Sequence, residues 1–113
     1  MSSTPVWIRV AAGEQIPVRE GRAVMIGGRE IAIFNVGDRF LAVDGRCPHK
    51  GGPLCDGIVS GDTVVCPLHA YKIGLTSGRV ERPSGIASCV RTYETRFEDG
   101  IVMLRIDAAE SAA

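Results

Sequence analysis

The chain has 113 residues, with 13 Lys and Arg balanced by 13 Asp and Glu, so it is expected to form one small domain over residues 1–107. Aromatic residues at 5% leave little to stack on bases, which argues against a nucleic-acid ligand, and no apolar run approaches the ~20 residues that would span a membrane. Fourteen Gly and six Pro point to many tight turns and short strands, hence a mostly β structure.

Residues 6–10 read as a first strand, followed by a polar connection over 11–21. Residues 22–26 and 29–36 flank Gly27-Gly28, a pair suited to a two-residue hairpin in which both central positions need positive φ. Residues 39–44 form the next strand, with Phe40 and Ala42 on one face and Leu41 and Val43 on the other. Residues 45–57, rich in glycine and carrying two prolines and two cysteines, read as an irregular loop. Residues 63–66 form a short strand running into Pro67, and 71–75 with the Ser77-Gly78 turn suggest a hairpin. Residues 90–97 and 101–106, joined by Glu98-Asp99-Gly100, form a last hairpin. Strands at this spacing predict an all-β antiparallel sandwich or small barrel. The tail, 108–113, has nothing to bury and is expected to fray.

The N-terminus lacks the basic and apolar regions of a secretory signal, and no twin-Arg pair occurs, so a cytoplasmic location is expected. In a reducing compartment four cysteines suggest metal ligation or plain burial rather than disulfides. The chemistry concentrates in Cys47-Pro48-His49 and, 16 residues later, Cys66-Pro67-Leu68-His69, which hold both histidines of the chain. Two thiolates and two imidazoles suit a zinc ion, a mononuclear iron or a two-iron, two-sulfur cluster. Structural zinc loops usually offer paired ligands of one kind, whereas each loop here offers one cysteine and one histidine. A dinuclear cluster uses that mixture naturally, with both cysteines on one iron and both histidines on the other.

The pattern C-x-H, spacer, C-x-x-H resembles that of Rieske-type [2Fe-2S] proteins, and Gly51-Gly52-Pro53-Leu54, Asp56-Gly57, Gly61-Asp62 and Thr76-Ser77-Gly78 are similar to that family's loops and turns. The resemblance implies a Rieske fold with two cluster-binding loops and Cys47, His49, Cys66 and His69 as ligands. Two thiolates leave the oxidised centre near neutral charge, so it accepts an electron more readily than an all-cysteine cluster. Respiratory members add an inter-loop disulfide and two hydroxyl donors. Leu68 stands where the disulfide cysteine would be, and Tyr71 and Ile73 stand at the hydroxyl positions, which implies a midpoint at or below about 0 mV.

Over roughly residues 6–106 the sequence is most similar to the small subunit of assimilatory NAD(P)H-dependent nitrite reductase, whose large subunit bears flavin, sirohaem and a four-iron cluster. That resemblance implies an electron carrier or accessory subunit in the reduction of nitrite to ammonium. The alternative is a Rieske ferredoxin passing electrons from a flavoprotein reductase to a ring-hydroxylating dioxygenase, and a third reading is a zinc-stabilised binding module without redox activity. No phosphate-binding G-x-G-x-x-G occurs, so NAD(P)H is expected to bind the partner. With both histidines assigned to metal, no Ser/His/Asp triad remains. Cys55 is expected to be a structural thiol, Cys89 a buried small apolar residue, and Trp7 a core or edge packer. Arg46, Lys50 and Lys72, beside the boxes, are expected to be solvated.

Overall fold

A computed structural model describes residues 4–47, 51–68 and 70–107. His49, His69 and the 108–113 tail lie outside the described residues. In chain order the strands are β1 (Pro5–Ala12), β2 (Gly21–Ile26), β3 (Arg29–Asn35), β4 (Phe40–Asp44), β5 (Ile58–Ser60), β6 (Thr63–Val65), β7 (Lys72–Gly74), β8 (Val80–Arg82), β9 (Thr92–Tyr93), β10 (Thr95–Glu98) and β11 (Ile101–Asp107). Single 3₁₀ turns occupy Gly13–Gln15 and Leu54–Asp56. The strands form three antiparallel sheets ordered β1-β11-β10, β2-β3-β4-β9 and β5-β6-β7-β8. Among the described residues no helix is long and apolar enough to cross a membrane.

The β2–β3 hairpin turns through Gly27 and Gly28 at φ 57° and 77°, a conformation glycine adopts without steric cost. Ile31, Ala32, Ile33 and Phe34 on β3 are all buried, because β3 is covered on both faces. Ile31 and Ile33 pack with Phe40, Ala42, Val102 and Leu104, whereas Ala32 and Phe34 pack with Val43, Leu54, Val64 and Ile73. The expected two faces of β4 follow the same division: Phe40 and Ala42 belong to the first cluster, and Val43, with Leu41 packed alongside, to the second. The second cluster also contains Cys47 and Cys66.

Two sequence expectations are corrected. Residues 90–97 are not one strand: β9 pairs with β4, while β10 pairs with β11. The chain changes sheets at Glu94 because Tyr93 turns inward, 7% exposed, and its hydroxyl donates to Asp44 Oδ1 at 2.8 Å. Burial and the Asp44 carboxylate push the Tyr93 hydroxyl up to about 12, so it stays a donor at any physiological pH. The second correction is β5, inside a stretch read without a strand. Its middle residue, Val59, is buried between exposed Ile58 and Ser60, too short a pattern to show a period.

Trp7 is half-buried on β1 with the Arg96 guanidinium 4.2 Å from its ring centroid, as expected of an edge packer.

Candidate metal centre

Cys47 follows β4 after a short turn, and Cys66 follows β6 directly. They are 3% and 1% exposed, so both sulfurs sit at the floor of their loops against apolar walls rather than in solvent.

The two loops are built alike. Cys47 N–H donates to Gly52 O at 2.8 Å, and Cys47 O accepts from Gly51 N–H at 3.1 Å. Cys66 N–H donates to Tyr71 O at 2.8 Å, and Cys66 O accepts from Ala70 N–H at 3.0 Å. In each loop the residue four places after the cysteine closes the turn in the left-handed region: Gly51 at φ 67° and Ala70 at φ 58°. A left-handed residue reverses the chain so that the bonds to the cysteine's own N–H and carbonyl can both form. Glycine does this freely, but alanine brings its Cβ against backbone oxygen at about 1–2 kcal/mol. Ala70→Gly is therefore expected to raise stability by about 0.5–1 kcal/mol, after the greater unfolded-state freedom of glycine is counted. A higher urea midpoint in the cluster-loaded protein checks this, and a lower midpoint would contradict it.

The loops also touch. A Cβ built on Gly52 would lie 2.8 Å from Cys66 Sγ and 3.0 Å from Leu68 Cγ, so the first loop packs its backbone directly on the second loop's thiol. Two buried sulfurs on loops in contact, each followed within three residues by a histidine in the sequence, are a donor set suited to a two-iron, two-sulfur cluster. The glycine backbone leaves at Cys66 the room that a side chain would occupy. Cys47 and Cys66 lie buried in one packed group on loops in contact, and His49 and His69, the other two expected ligands, lie outside the described residues.

Three side chains differ in their fit to expectation. Cys55 packs, half-buried, against the group of residues that contains Cys47 and Cys66, as a structural thiol would. Burial pushes its pKa up, and the Asp56 and Glu30 carboxylates add to the effect, so it is held as a thiol, with Sγ 3.8 Å from Asp56 Oδ1. Cys89 is exposed, not buried. Val90 beside it turns into the core and donates its N–H to Gly78 O, which directs the preceding side chain outward. Arg46 is not simply solvated either: it pairs with Glu30 and donates to Gly51 O. The charge signal at this position was visible in the sequence, but its partner Glu30 lies 16 residues earlier and is brought near only by the β3–β4 pairing.

Leu68, 54% exposed, and Ile58, 72% exposed, rim a shallow groove of about 460 Å³ beside Cys66 that Pro67, Val65 and Ala70 also line. Ile73, at the position where respiratory members carry a hydroxyl, is fully buried among apolar side chains and offers no donor.

A family model described as the Rieske [2Fe-2S] domain matches residues 6–94. The chain is 33% identical over 110 residues to the 3-phenylpropionate/cinnamic acid dioxygenase ferredoxin subunit of Escherichia coli, covering 90% of this chain and 97% of that one. The solved ferredoxin of carbazole 1,9a-dioxygenase from Nocardioides aromaticivorans superposes with a TM-score of 0.79 at 25% identity, over 90% of this chain and 97% of that chain. A candidate NADH-dependent nitrite reductase small subunit from Mycobacterium tuberculosis superposes with a TM-score of 0.81 at 22% identity, over 91% and 96% of the two chains, a likeness of fold alone.

Proposed function

We propose that this chain, which belongs to the Rieske [2Fe-2S] domain family and carries a Rieske-type two-iron, two-sulfur cluster, is a ferredoxin that passes single electrons from a flavoprotein reductase to a ring-hydroxylating oxygenase. The observation that carries the choice of partner is the 33% identity to a dioxygenase ferredoxin subunit along 97% of that protein's length. The small-subunit reading of nitrite reductase, favoured by the sequence resemblance, has the weaker support, a likeness of fold at 22% identity.

In this reading Cys47 and Cys66 hold one iron as thiolates, and His49 and His69 hold the other. The cluster, when bound, supplies storage for one electron. The chain supplies the rest. Packing of both cysteines among Leu54, Val64 and Ile73 keeps water from the sulfurs on the inner side. The backbone bonds at each cysteine fix the turns that carry the two thiols. Apolar Leu68 and Ile73, in place of a disulfide sulfur and a hydroxyl, give the reduced state no extra stabilisation.

The test combines voltammetry with reconstitution. A midpoint at or below about 0 mV is expected, a poise that flavin donors reach. The loaded protein is expected to support turnover of a Rieske oxygenase with a flavoprotein reductase while eluting separately from both in gel filtration. A lasting complex with a sirohaem-containing large subunit, together with nitrite-dependent NAD(P)H oxidation, would overturn the ferredoxin reading. A midpoint several hundred millivolts positive would overturn the argument from Leu68 and Ile73.

A further inference from the structure

Arg46 precedes the first ligand cysteine and bridges two parts of the molecule with separate nitrogens. Its Nε and Nη2 lie 3.1 and 3.0 Å from Glu30 Oε1, and its Nη1 donates to Gly51 O at 3.2 Å. Glu30 stands on β3, whose backbone carbonyl at that residue also accepts Gly45 N–H at 2.9 Å. The carboxylate lies across Gly45 so closely that a Cβ there would fall 2.7 Å from Glu30 Cγ. Gly51 is the left-handed residue that closes the Cys47 turn. The path Glu30, Arg46, Gly51, Cys47 is thus a continuous set of hydrogen bonds from a strand of the body to the thiol-bearing loop. Two other arginine pairs at the surface stay away from the loops, Arg96 with Glu98 within β10 and Arg105 of β11 with Glu94 at the crossing between sheets.

We propose that Arg46 is a positioning residue for the cluster: anchored by Glu30, it holds the Gly51 carbonyl and so fixes the turn that presents Cys47. The inference rests on the reading of Cys47 as a ligand. A planar guanidinium can serve the carboxylate and the carbonyl at once, whereas an ammonium is a single point that can approach one or the other. Geometry, not charge, is therefore what the position requires.

The test uses the cluster-loaded protein and follows the rate at which a ferrous chelator bleaches its visible absorbance, with the electron paramagnetic resonance g-values of the reduced state as a second readout. Arg46→Gln, Arg46→Lys and Glu30→Ala are each expected to lose the cluster about three to ten times faster than wild type and to shift the g-values, in keeping with a lost charge-assisted hydrogen bond. Arg105→Gln, which removes an exposed ion pair away from the loops, is expected to match wild type in both. Wild-type behaviour of Arg46→Gln or Glu30→Ala would overturn the proposal. So would full retention in Arg46→Lys, which would reduce the role to charge, or an equal effect of Arg105→Gln, which would reduce it to general stability. Failure of the underlying ligand reading is seen separately, as a Cys47→Ala protein that keeps its cluster.

Discussion

Replacing Cys66 by alanine is expected to leave a folded chain without its iron and acid-labile sulfide. Cys66 Sγ lies at the floor of the second loop, 1% exposed, against the first loop's Gly52 and within the same packed group as Cys47. Alanine offers no donor atom in its place, and one thiolate cannot hold an iron that requires two. Cys47→Ala should behave alike, and His49→Ala and His69→Ala should each strip a ligand from the other iron. The smaller side chain costs a cavity of about 1–2 kcal/mol at either cysteine, modest beside the loss of the centre. Iron and sulfide analysis with far-ultraviolet circular dichroism separates cluster loss from unfolding. Cys55→Ser and Cys89→Ser serve as comparisons, expected to keep two irons and two sulfides per chain. Loss of the cluster in Cys55→Ser at native fold, or retention in Cys66→Ala, would contradict the ligand set. One zinc and no sulfide in the wild-type protein would support the zinc-stabilised module instead.

Gly52→Ala is expected to reduce cluster occupancy severalfold, and Gly52→Val to abolish it. The added Cβ would stand 2.8 Å from Cys66 Sγ and 3.1 Å from Leu68 Cδ1, so either the two loops separate or the thiol turns from its place. Forcing one methyl into such a contact costs about 1–3 kcal/mol, and here the strain falls on a sulfur proposed as a ligand. Gly28→Ala supplies the contrast. A Cβ on Gly28 meets nothing within 4 Å, but the residue sits at φ 77°, so the substitution is expected to cost about 1–2 kcal/mol of stability and leave the cluster content unchanged. Cluster content in Gly52→Ala equal to that in Gly28→Ala would show that the loops yield freely, contrary to the contact at Cys66.

The parts of this protein that local chemistry dictates were legible in advance. Gly27-Gly28 between strand-like runs specified a hairpin because only positive φ at both positions lets the chain reverse with the right twist. The alternation of Phe40 and Ala42 with Leu41 and Val43 specified two buried faces for β4. The two Cys/His boxes specified a metal centre because thiolate and imidazole so spaced have few other uses. The sheet change at Glu94 was not legible, since 90–97 reads as a continuous strand and the break arises from Tyr93 reaching Asp44, 49 residues away in sequence. Nor was the exposure of Cys89, which follows from the inward turn of Val90 beside it.

The kind of centre follows from the two boxes together with the family resemblance they carry, because coordination depends on which atoms are present and how near they lie along the chain. How that centre is supported emerges on folding, in the contact of Gly52 with Cys66 and in the Glu30–Arg46 anchor. Each of these depends on residues brought together by the registers of strands distant in sequence or by the packing of one loop on another. Register is set by the burial of whole faces, a property of the assembled sheets that no single segment carries.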